Sequence, residues 1–166
     1  MMHPQYWSLH SLYAKLTNAN NVQYTKEEEK CYLMLKPKNK TVLDIGAYNG
    51  DTARLFLDNG AKYAICVEKD KELYSQLRKN VKHSAYLLNE AFNPEKHLRL
   101  NYDAIKCDIE GYEILLLDYE ITKPIVLEVH NWYLYDQFKK QGYVELTKPS
   151  KMLGMCMMGK NLDHSD

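Results

Sequence analysis

Four side chains able to move a proton or hold a cation fall at the ends of two apolar runs. Asp108 closes strand four, expected over Tyr102–Asp108, with Glu110 two residues on, and Glu128 and His130 close strand five, Ile125–His130. Residues two apart on a strand share a face, so Glu128 and His130 point the same way. In an open α/β sheet, ligands lie beyond the carboxyl ends of the strands. If the two runs are neighbouring strands, Asp108, Glu110, Glu128 and His130 converge. Clustered carboxylates repel one another, so at least one should titrate high. Such a cluster suits general-base chemistry near neutral pH. His130 is the expected base, with Asp108 or Glu110 next. A Mg²⁺ or Ca²⁺ site is the rival use of the same oxygens, although no spacing fixes a coordination sphere. The plainer alternatives are a histidine that caps a strand end and an aspartate that orients a loop.

A second group precedes these. Thr41-Val42-Leu43-Asp44-Ile45-Gly46-Ala47-Tyr48-Asn49-Gly50-Asp51-Thr52 reads as a buried strand, a glycine loop and a helix start. Gly46 and Gly50 permit a tight turn and close approach to a ligand. Asp51 or Thr52 is expected to cap the helix. Asp44 places a carboxylate in an apolar strand, which is costly unless it is hydrogen-bonded. Dinucleotide folds use G-x-G-x-x-G and seat a diphosphate on the helix. Here the spacing is D-x-G-x-x-x-G, and Asp51 directly after Gly50 would repel a diphosphate. A cationic adenosyl ligand, S-adenosylmethionine, fits instead. Glu68 ends the next apolar run 18 residues past Gly50, where an acidic residue takes the ribose hydroxyls. Asp44, Gly46, Ala47, Asn49, Gly50, Asp51, Thr52 and Glu68 are thus the expected cofactor residues. A nicotinamide-dependent oxidoreductase is disfavoured by the glycine spacing. A non-catalytic module that binds a partner is the other alternative.

With these residues, the chain resembles the class I S-adenosylmethionine-dependent methyltransferases. Asp108-Ile109-Glu110-Gly111-Tyr112-Glu113 matches the D-x-E-G-x-E of the FkbM-like branch, and Glu128-Val129-His130 ends a later strand. Tyr48 departs from the asparagine usual in that loop. The resemblance spans residues 40 to 145 and implies methylation of a hydroxyl on a small molecule, sugar or lipid. It also implies that Asn89 and Glu90 contact the adenine, and that Asp108 borders cofactor and acceptor alike.

The chain has 166 residues, with 22 basic and 22 acidic side chains and a formal net charge of +0. That balance argues against a phosphate-coated partner, which normally needs a basic stripe. Strand four lacks the Asn/Asp-Pro-Pro-aromatic run of enzymes that methylate exocyclic base nitrogens. Nucleic acid is therefore an unexpected acceptor. The apolar runs are strand-sized, so no membrane span is expected, and residues 1 to 6 show no signal-peptide pattern. Cys31, Cys66, Cys107 and Cys156 lack C-x-x-C pairing and read as buried thiols in a reducing, cytoplasmic setting.

The elements that must position these groups alternate strand and helix. The pattern predicts one α/β domain with a doubly wound, Rossmann-like, mostly parallel sheet and one antiparallel strand in a C-terminal hairpin. Residues 1–40 are expected to form helices packed on the domain at 41–166. Leu9, Leu12 and Leu16 stripe the first, and Thr25 to Glu28 is a capping box opening the second. Further helices are expected over 51–58, from 70, over 113–119 and over 132–140, whereas 94–100 is short for one. The hairpin is expected from strands at 143–147 and 152–158, with the methionines of the second buried beside the sheet edge.

Overall fold

The computed structural model describes residues 22–81 and 84–163; the expected stripe of Leu9, Leu12 and Leu16 lies outside them. Helix α1 spans Lys26–Leu33. Its capping box forms as expected: Thr25 Oγ1 accepts from the Glu28 amide at 3.2 Å, and the Glu28 carboxylate accepts from the Thr25 amide at 2.5 Å. Strand β1 (Thr41–Ile45) leads into α2 (Asp51–Asp58), β2 (Tyr63–Val67), α3 (Lys71–Asn80) and β3 (Ala85–Leu88). After the short α4 (Pro94–His97) come β4 (Ala104–Cys107), a 3₁₀ turn at Tyr112–Leu116, β5 (Ile125–Val129), α5 (Trp132–Lys140), β6 (Val144–Glu145) and β7 (Cys156–Lys160).

The seven strands lie in the order β3-β2-β1-β4-β5-β7-β6. All pairings from β3 to β5 are parallel, and β7 runs antiparallel to both β5 and β6. This is the doubly wound, mostly parallel sheet with one reversed strand that the sequence implies. The chain starts at the centre, works outward to β3, then returns to the other side of β1 at β4. The crevice beyond the ends of β1 and β4 is therefore the topological switch point, where such sheets bind ligands.

Both sheet faces are covered, so the strands read as continuous apolar runs rather than alternating ones. Leu43, Ile45, Ile105, Ile125 and Leu127 pack on one face with Phe138 and Tyr143. Val42, Ala104 and Val126 pack on the other with Tyr32, Leu35 and Phe56. Tyr32 meets Phe56 edge-on at 6.4 Å, joining α1 to α2. Each such large side chain contributes about 1.5–3 kcal/mol by leaving water.

Three local expectations change. Gly50, at φ +88°, caps α2 without a side-chain bond, because Thr52 turns inward and Asp51 is taken by another segment. The helix expected over 113–119 is a 3₁₀ turn starting at Tyr112. The hairpin strands are shorter and shifted. Met152 is 79% exposed, and Gly154 packs so tightly on Trp132 that a Cβ would lie 2.7 Å from the indole. Residues 152–154 therefore belong to the turn, and the buried strand is Cys156–Lys160. All four cysteines are free and buried.

Candidate active site

The loop after β1 is shaped by what surrounds it. Gly46 has φ +74°, and a Cβ there would lie 1.8 Å from the Asp108 carbonyl oxygen, so only glycine lets β1 and β4 end side by side. The Gly46 and Ala47 amides both donate to the Val67 carbonyl, at 2.9 and 3.1 Å. Tyr48, at φ +50°, then directs its amide to Glu68 Oε2 at 2.9 Å. The other Glu68 oxygen accepts from the Asp70 amide at 2.8 Å. Two backbone donors thus fix the Glu68 carboxylate at the tip of β2, and each oxygen keeps acceptor capacity. Burial raises the Glu68 pKa, and the Asp70 and Tyr48 amides oppose that rise. Asn89 braces the same strand end, donating to the Glu68 carbonyl at 2.9 Å and the Lys69 carbonyl at 3.3 Å.

The other expected cofactor residues occupy different layers. Asp44 is fully buried; Thr52 Oγ1 donates to its Oδ2 at 2.6 Å, and Lys106 Nζ lies 3.1 Å from its Oδ1. Asp44 and Thr52 thus lie beneath the loop. Asn49 accepts the Asp51 amide at 3.1 Å and holds the loop's exit. Asp51 accepts from the Gln23 amide at 2.6 Å and the Thr52 amide at 2.7 Å, which brings the segment before α1 against the crevice. Burial raises its pKa, and the Gln23 hydrogen bond opposes that. Glu90 turns to Lys96 (2.6 and 2.7 Å) and His97 (2.9 Å), and these partners lower its pKa, Lys96 foremost. His97 Nδ1 accepts the Asn93 amide at 2.9 Å, so Nε2 carries the proton that Glu90 receives.

At the ends of β4 and β5 the four sequence-predicted groups come together around one imidazole. His130 Nε2 lies 3.5 Å from Glu110 Oε2, 3.6 Å from Asp108 Oδ1 and 3.9 Å from Glu128 Oε2. A fifth group completes the ring of charge: Glu113 Oε1 lies 3.2 Å from His130 Nδ1. Glu113 is fully buried and accepts the Ile109 amide at 2.8 Å and the Gly111 amide at 2.9 Å. Those two bonds close the loop in which Glu110 (φ +56°) and Gly111 (φ +94°) are both left-handed. After His130, Asn131 caps α5 by accepting the Leu134 amide at 2.9 Å.

The carboxylates around His130 bear on its expected role as general base. Burial alone would depress its pKa, but Glu113, Glu128 and Asp108 outweigh burial and push it up to about 10. A histidine held as imidazolium has no lone pair to accept a proton near neutral pH. Burial, then repulsion from Asp108, raises the Glu128 pKa, and His130 opposes that rise. Asp108, Glu113 and His130 also place potential ligand atoms within 4.8 Å of one another.

Two residues of the site escaped the sequence reading. Glu113 stood inside the quoted D-x-E-G-x-E run, and its burial among apolar neighbours was the available clue. Lys106, 2% exposed in the middle of β4, was legible as a lysine within an otherwise apolar strand.

No protein-family model and no curated protein matches the sequence. Solved structures do. A precorrin-6y C5,15-methyltransferase from Geobacter metallireducens is 17% identical, with 86% of this chain and 90% of that chain covered at a TM-score of 0.58. A ribosomal protein L11 methylase from Lactobacillus delbrueckii is 13% identical over 85% and 81% of the two chains, at 0.59. A tRNA methyltransferase from Aquifex aeolicus is 14% identical over 84% and 70%, at 0.60. At these identities the likeness is one of fold: the chain shares with these methyltransferases a Rossmann-like α/β architecture, a mostly parallel sheet with an antiparallel strand near its C-terminal edge.

Proposed function

We propose that this chain is an S-adenosylmethionine-dependent methyltransferase of FkbM-like type, acting on a hydroxyl of a small molecule, sugar or lipid. The observation that carries the reading is Glu68. Its carboxylate stands at the switch point, anchored by two backbone amides and still able to accept from two ribose hydroxyls. The crevice around it is rich in carboxylates, Asp51 and Asp108 included, which suits a cationic ligand and opposes a diphosphate. Gly46 lets the ends of β1 and β4 lie side by side at this crevice. Bound there, the cofactor would supply an electrophilic methyl group.

The protein's own contribution is positioning and electrostatics. The acceptor hydroxyl is held at the β4–β5 corner, and Asp108 takes its proton. Glu113 is committed to two backbone amides, whereas Asp108 and Glu110 lie at His130 Nε2, 3.6 and 3.5 Å away. Asp108 is the better placed, since it follows β4 directly beside Gly46. The His130 imidazolium offsets the repulsion among these carboxylates.

The solved neighbours are named for acceptors as different as precorrin, a ribosomal protein and tRNA, so the fold does not choose among them. The charge of the corner supports the reading of a non-nucleic-acid acceptor: a phosphodiester would meet Asp108, Glu110, Glu113 and Glu128 with one imidazolium in compensation. Calorimetry tests the cofactor. S-adenosylmethionine and S-adenosylhomocysteine should bind, and at about 100 times Kd each should add roughly 2.7 kcal/mol of stability. Binding of NAD with neither adenosyl compound binding would refute the reading.

A further inference from the structure

Lys106 has no part in the chemistry above, yet its burial is too costly to pass over. It lies on the central strand β4, opposite Asp44 in the β1–β4 register. Its neighbours Ala104, Ile105 and Cys107 are fully buried. Taking an ammonium out of water carries a penalty of several kcal/mol, and a buried ion pair replaced by apolar residues often leaves a fold as stable or more so. Packing alone therefore gives no reason for a Lys106–Asp44 pair here.

The ammonium has a third contact that packing does not require. Nζ lies 2.6 Å from the Gly46 carbonyl oxygen, besides 3.1 Å from Asp44 Oδ1, and sits 5.9 Å over the Tyr32 ring. Gly46 is the first residue of the glycine loop. Its carbonyl belongs to the same peptide plane as the Ala47 amide, which donates to Val67. One end of that plane is held by Lys106 and the other by β2. With the plane fixed at both ends, the next amide, that of Tyr48, meets Glu68 Oε2.

We infer that Lys106 is a positioning residue of the cofactor site: through the Gly46 carbonyl it sets the loop so that the Tyr48 amide holds the Glu68 carboxylate in its binding position. Asp44 then has a supporting role, neutralising Lys106 and receiving Thr52 at the start of α2. The ammonium stays charged: burial works against it, but Asp44, Asp108 and Asp51 together raise its pKa.

The inference rests on the proposed cofactor site, so its test includes a readout that needs no ligand. In Lys106→Met, the Tyr48 amide should exchange with solvent roughly tenfold or more faster by NMR, since the charge-assisted anchor upstream is gone. The Kd for S-adenosylhomocysteine should rise roughly ten- to a hundredfold, with acceptor KM unchanged and kcat at saturating cofactor largely kept. Because the single variant leaves Asp44 buried without its counter-ion, the pair Asp44→Asn/Lys106→Met is made alongside Asp44→Asn. The pair should recover melting temperature but bind S-adenosylhomocysteine at least about tenfold more weakly than Asp44→Asn alone. Equal affinity in those two proteins, or unchanged Tyr48 exchange in folded Lys106→Met, would overturn the inference. If the wild-type protein binds no adenosyl ligand, the cofactor proposal fails, and Tyr48 exchange alone decides whether Lys106 sets the loop.

Discussion

Replacing His130 by glutamine should cost stability in a way that depends on pH with a defined sign. The imidazole is 11% exposed and has carboxylate oxygens at 3.2, 3.5, 3.6 and 3.9 Å. These raise its pKa from 6.5 to about 10. A group whose folded-state pKa lies above its unfolded value binds its proton more tightly when folded. The stabilisation is therefore complete below about pH 6.5 and is lost as pH rises through about 10. The shift corresponds to roughly 4.5 kcal/mol near pH 6 and under about 1 kcal/mol at pH 10. With a urea m-value of about 2 kcal/mol/M, the wild-type and His130→Gln midpoints should differ by about 2 M at pH 6 and nearly coincide at pH 10. Glu128 adds a slope of the same sign, because its pKa is raised too; Glu128→Gln removes that slope together with the part of the His130 shift that Glu128 causes. A midpoint difference that stays constant, or grows, from pH 6 to 10 would mean that His130 is not held as a cation. It would restore His130 as the candidate base.

Three further outcomes follow from the geometry. Glu68→Ala should keep the fold yet lose charge-assisted bonds worth roughly 1.5–3 kcal/mol, so calorimetry should read cofactor affinity lowered about ten- to a hundredfold; an unchanged Kd would remove Glu68 from the site. Gly46→Ala puts a Cβ 1.8 Å from the Asp108 carbonyl at φ +74°, so thermal unfolding should show a loss of roughly 3 kcal/mol or more; a well-tolerated alanine would contradict the loop geometry. Turnover should persist in EDTA, because the imidazolium occupies the space among Asp108, Glu110, Glu113 and Glu128; activity abolished by EDTA and restored by Mg²⁺ would make Asp108, Glu113 and His130 metal ligands.

The sheet was readable because its strands are short apolar runs between glycine and asparagine punctuation, and the capping box at Thr25 fixed α1 by local chemistry alone. The convergence of Glu128 and His130 was also readable, since the period of a strand requires it. What the sequence could not give was the balance of charge. His130 looks like a base when counted with Asp108 and Glu110, but Glu113 turns back through the Ile109 and Gly111 amides and adds a buried carboxylate against Nδ1. That return depends on two consecutive left-handed residues, one of them Glu110, whose side chain gives little warning of that conformation. The end of the hairpin failed for a similar reason. Met152 and Leu153 have the composition of a strand, but Gly154 must lie flat on Trp132, a contact made across the chain.

The two cations in this region have opposite logics, and the difference argues for where binding and chemistry divide. Lys106 is sealed beneath the loop and spends its donors on Gly46 and Asp44, so it acts on a ligand only through backbone. His130 lies at the β4–β5 corner with Nδ1 3.2 Å from Glu113 and Nε2 facing Glu110, Asp108 and Glu128, so its charge acts on the carboxylates around it. A neutral substitute for Lys106 should therefore change how tightly cofactor is held, whereas one for His130 should change the ionisation of Asp108 and hence the pH at which it takes a proton. Without the imidazolium, Asp108 loses the cation that lies 3.6 Å from its Oδ1. The pH profile of kcat in His130→Gln should shift its acidic limb upward, with S-adenosylhomocysteine affinity nearly unchanged. An acidic limb left in place, together with weakened cofactor binding, would put His130 in the binding site and take it out of the control of the base.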